Sequence, residues 1–127
     1  METGGMKGMR KELVREALHS LFKKGFGVKN IHSEYGMTEL MSQAYSKKNG
    51  LYNCPSWMKV LIRSTDDPFE IIKEEKTGAL NIIDLANVES CAFIATQDLG
   101  ITHRDGSFEV LGRFDTAEIR GCNLISV

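Results

Sequence analysis

The sequence predicts a mixed α/β fold, with an N-terminal helix and strand followed by a small, mostly antiparallel β subdomain. Three observations predict it. Residues 10–24 repeat their apolar side chains at helical spacing. From residue 57 onward, apolar runs of strand length alternate with polar and glycine-bearing breaks. One of those breaks, Arg104-Asp105-Gly106-Ser107, carries the Asp-Gly pair that favours a hairpin and so antiparallel neighbours.

The elements follow in order. Residues 1–8, with Gly4, Gly5 and Gly8, read as a loop. A helix follows from about Arg10 to Lys24, where Leu13, Val14, Ala17, Leu18, Leu21 and Phe22 make one apolar face for packing. Lys23 and Lys24 suit the negative end of its dipole, and Gly25 is a stop. Val28 to His32 predicts a short strand leading into His32-Ser33-Glu34-Tyr35-Gly36-Met37-Thr38-Glu39-Leu40, and Glu39 to Ala44 predicts a helical turn. Lys47-Lys48-Asn49-Gly50 is a turn. Strands are expected over Trp57–Ile62 and Phe69–Lys73, separated by the break Asp66-Asp67-Pro68. Thr77-Gly78 introduces an apolar segment, Ala79–Leu85. Ala92–Ala95 is a short strand ending at Thr96-Gln97-Asp98, and the last hairpin joins Ile101 to Phe108–Leu111. The helix/strand segment covers about residues 1–54 and the β-rich subdomain about 55–127, with no internal repeat or linker.

Composition narrows the function. The 127 residues suffice for one modest core. Sixteen Lys+Arg against 17 Asp+Glu leave no global field for nucleic acid or acidic lipid. No apolar run is long enough to cross a bilayer, and the N-terminus lacks the pattern of a signal peptide. Cys54, Cys91 and Cys122 are widely spaced and form no CxxC pair, which argues against zinc and for a reducing cytoplasm. His19, His32 and His103 are scattered and read as surface or structural side chains rather than ligands.

Three segments carry chemistry. Tyr35 to Glu39 packs an aromatic, a glycine, a hydroxyl and a carboxylate into one short turn. An aromatic ring can stack on a base, Thr38 can bind phosphate oxygen, and Glu39 can hold Mg²⁺, which takes oxygen ligands and accompanies phosphates. Gly36 lets the backbone approach a ligand closely. In Thr96-Gln97-Asp98-Leu99-Gly100, Asp98 has two readings: an acceptor for ribose hydroxyls or an ordinary turn former. Gly112-Arg113-Phe114-Asp115 also has two: Arg113 binds ribose or phosphate through its planar fork, or pairs with Asp115 at the surface.

Taken together and in this order, these segments resemble the adenylate-forming enzymes, the superfamily of acyl-CoA synthetases and related ligases. Tyr35-Gly36-Met37-Thr38-Glu39 matches the family's Tyr-Gly-X-Thr-Glu, Thr96-Gln97-Asp98 stands for its Thr-Gly-Asp, and Gly112-Arg113-Phe114-Asp115 for its Gly-Arg-X-Asp. Glu2-Thr3-Gly4-Gly5-Met6-Lys7-Gly8, Ser33 to Leu40 and Glu118-Ile119-Arg120-Gly121-Cys122-Asn123-Leu124 are similar to the acyl-protein synthetases, the ligase component of the bacterial fatty-acid reductase. The resemblance covers nearly the whole chain.

The resemblance implies ATP-dependent activation of a fatty or other carboxylic acid as acyl-adenylate, with transfer to a protein cysteine. It implies ATP and Mg²⁺, with Gly4 and Gly5 lining the adenine end, Tyr35 and Gly36 at the base, and Thr38 on phosphate. Glu39 would hold Mg²⁺ and Asp98 the ribose hydroxyls with Arg113 assisting, and Asp115 stands at the position that is a hinge in relatives with a mobile C-terminal domain. Cys122 is the candidate acyl carrier, beside Arg120, whose charge would favour the thiolate. Its other reading is a small buried hydrophobe.

The chain also departs from the family. It carries no Ser/Thr/Gly-rich phosphate loop and no C-terminal domain with a catalytic lysine, and Gln97 replaces a glycine. It is therefore expected to be the C-terminal part of a longer protein, with the missing N-terminal part, an acyl-acceptor protein and the carboxylic acid as partners. Apolar surface left bare would favour a homo-oligomer. The alternatives are a CoA-dependent acyl or aryl ligase, or an inactive fragment that binds only nucleotide or a partner.

Overall fold

A computed structural model of the chain describes residues 1–3 and 15–113. The elements are β1 (Glu2–Thr3), α1 (Arg15–Phe26), β2 (Ser33–Tyr35), β3 (Ala44–Ser46), β4 (Leu51–Tyr52), β5 (Met58–Arg63), β6 (Ile71–Ile72), β7 (Gly78–Asp84), a 3₁₀ turn (Leu85–Asn87), β8 (Phe93–Thr102) and β9 (Phe108–Arg113). This is the mixed α/β fold the sequence predicts, with one main helix and a large antiparallel sheet among the described residues. A small sheet runs β1-β2-β3, and a six-stranded sheet runs β4-β9-β8-β7-β5-β6. No helix of the described residues is long and apolar enough to cross a membrane.

Period-2 alternation builds the large sheet. Met58, Val60 and Ile62 of β5 point inward, and Leu80 and Ile82 of β7 join them across the ladder. The core unites both sheets, since Tyr35 and Ala44 belong to the same buried cluster as Tyr52 and Phe108. Phe108 stacks on Tyr52 at 5.4 Å and meets the edge of Tyr35 at 5.5 Å. Fully burying such a side chain contributes about 1.5–3 kcal/mol. Phe108 is completely buried between two aromatic partners, so its loss would damage both sheets.

Several expectations need correction. Glu2–Thr3 is not loop but a strand parallel to β2, because the Glu2 amide donates to the His32 carbonyl at 2.8 Å. The helix runs through Gly25 to Phe26, and Gly27 (φ +65°) supplies the left-handed cap instead. The Phe22–Phe26 ring pair, at 5.8 Å, packs across that last turn. The inward stripe of α1 is also different. His19 is its buried residue and the expected Leu18 and Phe22 are half-buried beside it, while Ala17 and Leu21 are exposed and Leu13 and Val14 lie outside the described residues. His19 Nε2 lies 3.2 Å from a Glu2 carboxylate oxygen and 3.3 Å from Ser33 Oγ, so polar bonds tie the helix to the small sheet. Arg15 adds a second tie by laying its guanidinium over the Tyr52 ring at 5.4 Å.

The strand expected at Val28–His32 begins only at Ser33, where β1 and β3 supply partners. No helical turn forms over Glu39–Ala44. Thr38–Glu39 is a tight turn and Ala44 opens β3, because Asp84 captures the Met41 and Ser42 amides. The turn at Lys47–Gly50 forms as expected, with Asn49 and Gly50 both at positive φ (59° and 67°). The hairpin at Arg104–Ser107 forms too, closed by the Gly106 amide on the His103 carbonyl.

Candidate functional site

The site begins at the end of β2. Tyr35 is buried at 9% exposure with its ring in the core, and its hydroxyl donates to Asp98 Oδ2 at 2.7 Å. This bond joins two motifs 63 residues apart. Burial, then the hydrogen bond to Asp98 and that carboxylate's charge, push the Tyr35 hydroxyl far above its usual range, so it stays a donor.

After Tyr35 the chain alternates between anchors and exposed groups. Met37 packs against the core and Leu40 is buried, with the Leu40 amide donating to the Met37 carbonyl at 3.1 Å. Between these anchors Thr38 and Glu39 stand exposed, as does Gly36. Apolar neighbours thus pin the turn and leave its hydroxyl and carboxylate open to a ligand.

Asp98 owes its position to a bulge. Thr96-Gln97-Asp98 does not end a strand, because β8 continues to Thr102. Asn81 pairs with Ala95 and Ala79 with Leu99, so Leu80 alone faces Thr96, Gln97 and Asp98. Buried Thr96 fills the bulge, donating from Oγ1 to the Leu80 carbonyl (2.9 Å) and accepting from the Asp98 amide (3.1 Å). Arg63 closes it from β5, donating to the Thr96 carbonyl at 2.9 Å and to Asn81 Oδ1 at 3.2 Å. The bulge turns Asp98 toward Tyr35.

Arg113 lies directly across the ladder from Asp98. Its Nε is 3.6 Å from Asp98 Oδ1, and its Nη2 donates to Gln97 Oε1 at 3.3 Å. The Arg113 side chain is 75% exposed against 16% for Asp98, so the guanidinium is available beside a well-held carboxylate. The structure therefore brings Tyr35, Asp98 and Arg113 together. Gly4, Gly5, Asp115 and Cys122 lie outside the described residues.

Sequence reasoning missed the groups that hold the turn. Asp84, fully buried, accepts from the Met41 and Ser42 amides, from Ser42 Oγ and from the Ala86 amide. Burial raises its carboxyl, but these bonds outweigh it and the net shift is downward. Trp57 Nε1 donates to Ser42 Oγ at 2.9 Å, and Asn87 Nδ2 to the Glu39 carbonyl at 2.8 Å. The available signal was an Asp closing an apolar strand ahead of a helical turn, the pattern of a cap.

The residues fit a nucleotide with its metal. A carboxylate has about four lone-pair sites, so Asp98 can hold Tyr35 and still accept ribose hydroxyls. No group of three His, Cys, Asp or Glu that could cage a metal exists among the described residues. The exposed carboxylate of Glu39 suits Mg²⁺ that arrives with phosphates, which binds through one or two carboxylates.

Comparison with known proteins gives the affiliation of the chain. The family described as acyl-protein synthetase, LuxE, matches residues 1–126. The search of curated proteins gives no match. Among solved structures, the chain is similar to the luciferase-like enzyme from the nonluminescent mealworm Zophobas morio, with TM-score 0.57, 18% identity, and coverage of 80% of this chain and 30% of that one. It is also similar to ATP-bound MatB from Rhodopseudomonas palustris (TM-score 0.56, 15% identity, 76% and 23% covered). A third likeness is to O-succinylbenzoate coenzyme A synthetase, MenE, from Bacillus subtilis in complex with AMP (TM-score 0.53, 22% identity, 76% and 24% covered). At these identities the likeness is one of fold, and the chain spans less than a third of the length of each structure. The family match over nearly the full length decides the affiliation: this chain belongs to the acyl-protein synthetase (LuxE) family.

Proposed function

We propose that the chain supplies part of a site that activates a fatty or other carboxylic acid with ATP and passes the acyl group to a protein cysteine. The observation that carries this reading is the 2.7 Å bond from Tyr35 to Asp98, which makes one site of two separated motifs. A carboxylate oxygen of the acid attacks the α-phosphorus of ATP and the α–β phosphoanhydride bond breaks, giving acyl-adenylate and pyrophosphate, while Mg²⁺ at Glu39 would supply charge neutralisation.

In this reading Asp98 accepts from the ribose hydroxyls and Arg113 donates beside it. The Tyr35 ring is packed against Phe108 and Tyr52, so its contribution is the hydroxyl that fixes Asp98. Gly36 borders the adenine end, which Gly4 and Gly5 would line. Thr38 donates its hydroxyl to phosphate, and Glu39 holds Mg²⁺. The contribution is positioning and charge neutralisation, the usual terms when a group is transferred at phosphorus. The Cys122 thiolate then attacks the acyl carbonyl, AMP leaves, and a thioester forms.

The same reading takes residues 1–127 as the C-terminal portion of a larger adenylate-forming enzyme working in the cytoplasm. Its preceding part would supply the phosphate loop. Self-association of the isolated chain belongs to the same reading, and its oligomeric state in solution tests it.

The test uses ATP–pyrophosphate exchange with palmitate in the intact protein. Glu39→Gln should depress exchange by at least about tenfold, because metal charge stabilisation is worth several kcal/mol. Cys122→Ser should preserve exchange and abolish labelling by radioactive palmitate. Undiminished exchange in the first variant would reject the role of Glu39, and persistent labelling in the second would reject Cys122 as acceptor.

A further inference from the structure

The turn bearing Thr38 and Glu39 is gripped from outside by one short segment. At its C-terminal side, Asp84 Oδ2 accepts from the Met41 amide at 3.0 Å and the Ser42 amide at 2.8 Å. Asp84 Oδ1 accepts from Ser42 Oγ at 2.7 Å, and the Trp57 indole adds its own bond to that hydroxyl. On the turn itself, Asn87 Nδ2 donates to the carbonyl of Glu39 at 2.8 Å and, from the same nitrogen, to the Cys91 carbonyl at 3.0 Å. Asp84 and Asn87 bracket a single 3₁₀ turn that Asp84 caps through the Ala86 amide, so the two grips are rigidly spaced.

This arrangement has more precision than packing a surface turn requires. Met37 and Leu40 already anchor it through apolar contact. The added bonds fix the backbone at Glu39 and just beyond it. A lone carboxylate serving Mg²⁺ needs such help, since Mg²⁺ demands near-ideal octahedral geometry and tolerates little ligand displacement. Partners behind a ligand orient it, and their loss is felt as metal affinity.

We infer that Asp84 and Asn87 are positioning residues for the Thr38–Glu39 turn, setting where the Glu39 carboxylate and the Thr38 hydroxyl meet Mg²⁺ and phosphate. The inference rests on the proposed ATP-dependent activation. It assigns the work to bonds on the Glu39 carbonyl and the Met41 and Ser42 amides rather than to contact with substrate.

The experiment titrates Mg²⁺ in ATP–pyrophosphate exchange with palmitate, comparing the intact protein with Asn87→Ala and Ser42→Ala. Both substitutions are small truncations, and retained thermal melting establishes that the fold survives. The Mg²⁺ concentration for half-maximal exchange should rise by about 10-fold or more, the range for lost outer partners of a metal ligand. The KM for palmitate should not move, which separates positioning from general loosening. Asp84→Asn should additionally speed amide hydrogen exchange at Met41 and Ser42. If that variant fails to fold, the two truncations decide alone. Exchange by the wild type with unaltered Mg²⁺ dependence in both truncations overturns the inference and leaves the functional reading intact. Absence of exchange in the wild type overturns the functional reading, and the inference with it.

Discussion

Replacing Tyr35 by Phe removes one oxygen and leaves the ring, so its effect can be worked from the structure. The ring keeps its edge contacts to Phe108 at 5.5 Å and Tyr52 at 6.0 Å. What is lost is the 2.7 Å bond to Asp98. A hydrogen bond to a charged group is worth about 1.5–3 kcal/mol net. Asp98 keeps Arg113 at 3.6 Å and 16% side-chain exposure, so water and the guanidinium recover part of the loss. The expected destabilisation is therefore about 1–2 kcal/mol, read by urea unfolding near neutral pH. Asp98→Asn in the same background should give a coupling of similar size in a double-mutant cycle. Alkaline pH supplies an independent arm. Tyr35 and Tyr52 both have hydroxyls raised above the ordinary value of 10.0, in each case chiefly by burial. Above pH 10 the unfolded chain loses these protons while the fold retains them, so stability must fall as pH rises. Each such tyrosine steepens the decline by up to about 1.4 kcal/mol per pH unit, and Tyr35→Phe should remove its share. Unchanged stability near neutral pH together with an unchanged alkaline slope would refute the reasoning.

Gly100→Ala should cost about 1–3 kcal/mol in urea unfolding, because its new methyl would meet the Glu109 carbonyl oxygen and Leu80 Cδ2. A wild-type midpoint would show that β8 and β9 are not so closely apposed. Burial pushes the Cys54 thiol up to about 11, whereas Cys91 is exposed. Iodoacetamide at neutral pH should therefore modify Cys91 well before Cys54, and peptide mapping that finds the reverse order would contradict the burial. His103 is raised above 6.5, first by its hydrogen bond to Glu75, with burial opposing and the Glu109 carboxylate adding to the rise. Its stabilisation is complete below 6.5 and lost as pH rises through the folded value, so an NMR titration midpoint at or below 6.5 would exclude the double carboxylate clasp.

Local rules made some of this molecule legible and hid the rest. Met58, Val60 and Ile62 announce β5 because a half-buried strand must alternate, and Asp105-Gly106 announces its hairpin because glycine tolerates the positive φ of 83° found there. The two-residue strand β1 leaves no such trace, since its pairing with Ser33 and Glu34 depends on residues 31 positions away. The stripe of α1 misled for a related reason: its inward residue is His19, a polar side chain that belongs inside only once Glu2 and Ser33 are beside it. The site divides along the same line. Tyr35, Thr38, Glu39, Asp98 and Arg113 are visible as motifs, because each stands within a few residues of the others in its own segment. Asp84 and Asn87 look like an ordinary cap, because their targets are 42 to 48 residues away. The bulge is the sharpest case. Three polar residues in a row, Thr96-Gln97-Asp98, read as the end of a strand, yet Thr96 spends its hydroxyl on the Leu80 carbonyl and the Asp98 amide and so lets β8 continue. Gln97 follows from that geometry. As a motif residue it is a departure from glycine that places ribose geometry in question. In the ladder its amide oxygen accepts from Arg113 Nη2, a bond no glycine side chain could provide. The substitution thus adds a second restraint on the guanidinium beside Asp98, with nucleotide affinity of Gln97→Gly the measurement that shows whether the restraint helps or hinders.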